Sequence, residues 1–311
     1  MPLPLHTLDV FTDRRFCGNP LAVVGEADAL STDQMQAIAR ELNLSEAVFV
    51  LKPQNPAHSA RVRIFTPERE LPFAGHPTLG TAILLAQLRT SPVNGERDAI
   101  IVLEQAIGTV RVGVRLRPGQ PPFAEFDAPK LPEKAVTPPS RDRIADALGL
   151  LPREIGFENH TPQCLSGGTT FAFVPVAGLE AIAKARIEPA QWASVFPGHT
   201  FGGVYLYTRE CVHSGAAFHA RMFAPQLGVP EDPATGSAAV CFASVVHDFD
   251  GLPDGAHRRM IEQGHEMGRP SAIVLTLVVA GGRLETVRIG GSAVRVIDGT
   301  LATEARPTCW T

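Results

Sequence analysis

Glu46 lies in Asn43-Leu44-Ser45-Glu46-Ala47-Val48-Phe49-Val50, where a helical pattern gives way to an apolar strand. A carboxylate at the mouth of a buried strand loses hydration, and desolvation raises its pKa. A raised carboxyl can take up and return protons near neutral pH. From spacing alone, an exposed turn carboxylate fits the position equally well. Two other segments carry a shared chemistry: Gly75-His76-Pro77-Thr78-Leu79-Gly80 and Asp232-Pro233-Ala234-Thr235-Gly236-Ser237. Each opens an apolar helical pattern with Pro, Gly and a hydroxyl residue. Pro at a helix start loses no needed donor. The unpaired N–H groups beside it carry the positive end of the helix dipole and suit a carboxylate. One such segment reads as a capped core helix. Two, with His76 and Asp232 at matching places, read as a shared anion-binding cleft.

Other groupings fail on chemistry. Gly75 to Gly80 has the spacing of a phosphate-binding loop, but no Lys follows Gly80. No Gly-x-Gly-x-x-Gly follows a strand, so no dinucleotide site is indicated. Cys211, His213 and His219 make three metal ligands without a fourth, and no metal is expected. Asp248-Phe249-Asp250-Gly251 places its Gly too early for a calcium loop. Cys17 beside Arg14 and Arg15 is read as a small packed side chain rather than an activated thiol.

The elements that must position these residues follow from periodicity. Strands are predicted at 5–12, 21–24, 46–51, 60–65, 99–104, 109–115 and 123–126. Further strands are expected at 170–176, 203–208, 216–223, 272–279, 286–290 and 292–300. Ser31 and Gln34 form a capping box for a helix over 32–42. The helices over 77–88 and 233–249 are apolar nearly all round and therefore buried on most sides. The Pro-rich stretch 128–139 divides the chain into 1–128, with Glu46 and His76, and 129–311, with Asp232. The last strand is left free to cross back. Across that divide the sequence repeats itself. Arg63-Ile64-Phe65-Thr66-Pro67 is matched by Arg221-Met222-Phe223-Ala224-Pro225, and Leu71-Pro72 by Val229-Pro230. A strand, a Pro-marked loop and a helix in the same order twice mean two copies of one design.

Composition narrows the partners. The 311 residues carry a formal charge of −4, with 44% hydrophobic and 19% charged residues. That supplies core for two domains and no basic field for nucleic acid. No run approaches the ~18 apolar residues that span a bilayer. The five cysteines at 17, 164, 211, 241 and 309 are widely spaced and read as reduced thiols in the cytoplasm.

An ordered set of motifs resembles the PhzF-like phenazine-biosynthesis family. It comprises Asp9-Val10-Phe11-Thr12, Gly18-Asn19-Pro20, Asn43-Leu44-Ser45-Glu46 and Phe65-Thr66-Pro67. Leu71-Pro72-Phe73-Ala74-Gly75-His76-Pro77, Glu231-Asp232-Pro233-Ala234-Thr235-Gly236-Ser237-Ala238 and Gln263-Gly264-His265-Glu266-Met267-Gly268-Arg269-Pro270-Ser271 complete it. The resemblance implies the α+β fold of diaminopimelate epimerase: two similar lobes, each a central helix wrapped by a curved, mostly antiparallel sheet. It implies a cofactor-independent isomerase, like the one acting on trans-2,3-dihydro-3-hydroxyanthranilate, and a homodimer. Glu46, His76 and Asp232 become the expected catalytic residues. Asn19, Gly75, Gly168, Gly236 and Ser237 are expected to bind a small carboxylic acid. Thr169-Thr170-Phe171 and Ala47-Val48 depart from the family pattern near the expected cleft. An epimerase, racemase or dehydratase on the same scaffold, or a non-catalytic binding protein, are the competing readings. Neither repeated loop carries a cysteine, which disfavours a two-thiol racemase.

Overall fold

A computed structural model describes residues 2–89 and 96–303; Cys309 lies outside the described residues. The first half carries strands β1 (Leu3–Val10), β2 (Asn19–Val24), β3 (Glu46–Leu51), β4 (Ala60–Phe65) and β5 (Glu70–Leu71). Strands β6 (Arg97–Gln105), β7 (Gly108–Leu116) and β8 (Phe123–Asp127) follow. Its helices are α1 (Thr32–Leu42) and α2 (Gly75–Leu88). The second half has β9 (Glu133–Lys134), β10 (Gln163–Ser166), β11 (Thr170–Pro175), β12 (Gly203–Thr208), β13 (Phe218–Ala224) and β14 (Val229–Asp232). It ends with β15 (Gly255–Gln263), β16 (Ser271–Ala280) and β17 (Arg283–Leu301). Helices α3 (Arg141–Leu148), α4 (Leu179–Lys184), α5 (Pro189–Val195) and α6 (Gly236–Asp250) pack among them.

The strands form one mixed, mostly antiparallel sheet, so the chain is α+β as expected. The pairings run twice through the same sequence. In the first half β2 pairs parallel with β3, β3 antiparallel with β4, and β4 parallel with β6. In the second β11 pairs parallel with β12, β12 antiparallel with β13, and β13 parallel with β15. Side chains follow the same doubling. Arg63 pairs with Glu70 and lies over the Phe65 ring. Arg221 pairs with Glu231 and lies over Phe223. From β1 the pairings pass through β2, β3, β4, β6, β7, β8 and β17 and return to β1, a closed ring.

Helix α2 fills that ring. Its residues from Gly75 to Leu84 are all buried, which explains an apolar pattern without a polar face. Burying Leu79, Ile83 and Leu84 fully contributes ~1.5–3 kcal/mol each. Helix α6 is buried in the same way against β10, β11, β16 and β17.

Several boundaries differ from the sequence reading. Helix α6 begins at Gly236, not Pro233, because Asp232 still belongs to β14, paired with Met222. Helix α2 begins at Gly75, two residues before Pro77. The stretch 128–139 is not a bare linker: β9 within it pairs with β10. The expected strands 286–290 and 292–300 are one strand, β17, continuous through Gly290 and Gly291. Strand β15 has no sequence signal of its own, because Arg258-Arg259-Met260-Ile261-Glu262 does not alternate polar with apolar residues, and Met260 is exposed while Glu262 is buried.

Candidate active site

The two buried helices meet at their N-termini. A Cβ on Gly75 would lie 2.8 Å from the Gly236 Cα and 3.1 Å from the Ser237 nitrogen, so only glycine permits this approach. Neither Ala74 nor Thr235, the N-cap residues, caps its helix with a side chain. The first N–H groups of both helices are thus offered at one place.

Asp232 is fastened there from every side. It accepts from Asn19 Nδ2 at 2.8 Å, Ser45 Oγ at 3.0 Å and Thr235 Oγ1 at 2.6 Å. Gln263 donates to its carbonyl at 2.7 Å and to Thr235 Oγ1 at 3.1 Å. Burial pushes the Asp232 carboxyl up to about 6, against the pull of those three hydroxyl and amide donors. Glu46 opens β3, half-buried, and its Oε2 is buried without a hydrogen-bond partner. Burial, and secondarily the charge of Asp232, raises the Glu46 carboxyl well above its ordinary range.

His76 stands behind Glu46. Its Nδ1 is 3.5 Å from Glu46 Oε2 and 3.2 Å from Asn19 Nδ2. Asn19 has two amide hydrogens, and Asp232 Oδ1 and the Ala234 carbonyl take them at 2.8 and 2.9 Å. The imidazole Nδ1 therefore remains for Glu46. Burial lowers His76 to about 3, so the ring is neutral at neutral pH and this contact is no ion pair.

A cavity of about 50 Å³ opens on this arrangement, lined by Ser45, Glu46, Asp232, Thr235 and Ser237. Its remaining wall is largely apolar, with Phe73, Phe171, Met222 and Leu227, and Arg69 stands at its edge. Of the expected residues, Glu46, Asp232 and Ser237 face the cavity. Asn19 and His76 are buried behind it, and Gly75 and Gly236 form the helix contact. Gly168 lies in a neighbouring concavity that shares Phe73, Thr169, Phe171 and Ser237 with this one. Of the two departures from the family pattern, Thr169 and Phe171 line the cavity. Ala47 and Val48 instead point into packed cores. The sequence reading missed Ser45, Thr235 and Gln263 as the residues that fasten Asp232, although all three stood in its motifs.

The doubling shows that the two carboxylates are not copies of one another. Ala47 pairs with Phe65, and Val204 pairs with the matching Phe223. Glu46 is therefore matched by Gly203 in the second half. Phe65 pairs with Glu70 and Phe223 with Glu231, so Asp232 is matched by Leu71; the sequence matches of Asp232 with His76 and of Leu71 with Val229 are displaced by the register shift after Phe223. Each half supplies one acid, from a different position of the repeat.

Residues 8–299 match the family model described as phenazine biosynthesis-like protein. An uncharacterized isomerase of Mesorhizobium japonicum is 52% identical over 94% of this chain and 96% of its own length. The trans-2,3-dihydro-3-hydroxyanthranilate isomerase of Pseudomonas aeruginosa is 35% identical over 94% of this chain and 96% of its own. Among solved structures, a Bacillus anthracis phenazine biosynthesis protein superposes with a TM-score of 0.86 at 22% identity. That superposition covers 97% of this chain and 99% of that one.

Proposed function

The chain belongs to the phenazine biosynthesis-like family and is an isomerase, and from that premise we propose a proton shift on a small unsaturated carboxylic acid with Glu46 as the general acid/base. The observation that carries this is the Glu46 carboxyl. It is raised by burial, open to a cavity and backed by a neutral imidazole. Ionised Glu46 takes a proton from carbon. The electron pair moves into the conjugated acid, and the Glu46 carboxyl returns a proton to another carbon on the same face. Charge developing on the substrate carboxylate is met by the N–H groups of α2 and α6, fixed dipoles that need no reorganisation. Asp232 and Ser237 hold the substrate's polar group. His76 acts through Glu46, as a positioning residue.

The match of Glu46 with Gly203 favours an isomerase over a racemase, which needs opposed bases. Asp232, also raised and facing the same cavity, supports a second reading, an epimerase or dehydratase using both acids. Incubation of candidate unsaturated amino and hydroxy acids in deuterium oxide, followed by mass spectrometry, separates the two. The isomerase places one deuteron at a new carbon, whereas an epimerase labels the carbon it inverts. Glu46→Gln keeps the shape, so binding should survive while turnover falls at least ~100-fold, the lower end for loss of a general base. Near-normal turnover in that variant would end the proposal.

We further propose that 1–128 and 129–311 act as two lobes closing on the substrate and that the enzyme works as a cytoplasmic homodimer. The repeated pairings support the first point. The free thiols of Cys17, Cys164, Cys211 and Cys241 fit a reducing compartment. No helix among the described residues is long and apolar enough to cross a membrane.

A further inference from the structure

A second concavity, of about 320 Å³, shares no residue with the Glu46 cavity. Its walls include Phe11, Arg14, Phe123 and Met260, and also His213, His265 and the buried Glu262. One ligand atom from each of these three lies within 4.8 Å of the other two. Of the three possible ligands that the sequence brought together, the fold keeps only His213. Cys211 Sγ contacts the Arg209 carbonyl at 3.4 Å. Both nitrogens of buried His219 are taken, by Glu262 at 2.7 Å and Glu266 at 2.9 Å.

Glu262 has an ordinary structural duty, and the repeat shows what that duty requires. It accepts from the backbone N–H groups of Val212 and His213 at 2.6 and 3.0 Å, and from His219. Its counterpart Glu104 accepts from the backbone of Gln54 and Asn55, both at 2.8 Å, and from His58. Glu104 holds its loop with a single histidine. The pairings Ala60 with Leu103 and Phe218 with Ile261 align Asn55 with His213 and Ile107 with His265. The rings of His213 and His265 are therefore additions that loop holding does not need. They lie 5.4 Å apart beside the one Glu262 oxygen that accepts only a single backbone bond. His265 Nε2 is buried with no hydrogen-bond partner, 3.9 Å from Glu262 Oε2. A buried ring nitrogen without a partner is costly unless something occupies its lone pair.

We propose that His213, Glu262 and His265 form a binding site for a divalent first-row transition metal of the zinc type. Two imidazoles and one carboxylate are a donor set such ions favour, with a remaining position open to solvent or a small ligand. That position faces the 320 Å³ concavity. Ligand atoms on one zinc sit ~2.0–2.2 Å from it, so atoms 3.9 Å apart must draw together slightly. His213 is exposed on the loop between β12 and β13. The ion would tie that loop to the turn after β15.

The test uses the full chain without a histidine tag, stripped by chelator and titrated with Co²⁺ by visible absorption and with Zn²⁺ by equilibrium dialysis. One ion per chain is expected, with d–d bands of a low-coordinate site and a higher melting temperature in the metal-bound form. His213→Ala, on an exposed loop, should fold normally and weaken binding at least ~10-fold, the lower end for a disturbed metal shell. His265→Gln should do the same, while Glu46→Gln should bind metal as the unaltered chain does. No stoichiometric uptake, or uptake undiminished in His213→Ala, overturns the site.

Discussion

At the scale of single residues, burial sets the chemistry and also burdens the fold. A carboxyl whose folded pKa is raised binds more protons folded than unfolded, so its contribution to stability falls as pH climbs through that window. For Asp232 the window runs from its ordinary 3.8 to about 6, and for Glu46 it starts at its ordinary 4.5 and extends well above it. His76 works in the opposite direction. Lowered to about 3 from its ordinary 6.5, it leaves the unfolded chain the better proton binder and costs stability as pH falls through that range. Glu46→Gln removes a buried group that ionises as pH rises. Its melting temperature should therefore exceed that of the unaltered chain at pH 8, and the gap should close toward pH 5. A gap independent of pH would mean that Glu46 is not held in the raised state. Glu46 and Asp232 were legible in the sequence because their types and flanking motifs are local. Their supports were not, since Asn19 reaches Asp232 across 213 positions and Ser45 across 187. Nor does spacing tell that His76 stands behind Glu46 instead of beside the substrate.

At the scale of elements, the helix contact is the part with least tolerance. A methyl group on Gly75 meets only backbone, the Gly236 Cα at 2.8 Å and its carbonyl carbon at 2.9 Å, and no side chain can rotate away. Gly75→Ala must push the two helix starts apart. Overpacking of this kind costs ~1–3 kcal/mol, and a shift of ~1 Å in a positioned group costs ~100-fold in rate. Urea denaturation and turnover should both show the loss. Gly215→Ala, where a Cβ meets nothing within 4 Å, should change neither. The apolar helices were evident from composition, because a helix without a polar face has to be interior. The start of α6 was not. Pro233 looks like a first-turn residue, yet the pairing of Asp232 with Met222 keeps the strand going to Asp232, and the helix starts only at Gly236. That pairing is a long-range fact that local spacing does not contain.

At the scale of the whole molecule, the proposals of closing lobes and of a dimer come to one measurement. Small-angle scattering in solution should return twice the 33.3 kDa chain mass and a smaller radius of gyration when a substrate-like carboxylic acid is bound. A mass of one chain would remove the dimer, and an unchanged radius the closure. The sequence showed the doubling through Arg63-Ile64-Phe65 and Arg221-Met222-Phe223. It left the last strand free to cross back but did not show one strand running through both halves, because Gly290 and Gly291 look like a turn where the strand in fact continues.

That strand also sets a timetable. Leu3 pairs with Leu301 and Val10 with Ala293, so the ring around α2 lacks one stave until nearly all of the chain exists. During synthesis the ribosome releases β1 first and its partner last. In the interval β1 and β8 are exposed edges beside an oily helix, the kind of surface that seeks strands from other molecules. The first half cannot finish folding as it emerges. Its completion waits on the arrival of β17, and a cell making this protein quickly must shelter the unfinished barrel until then.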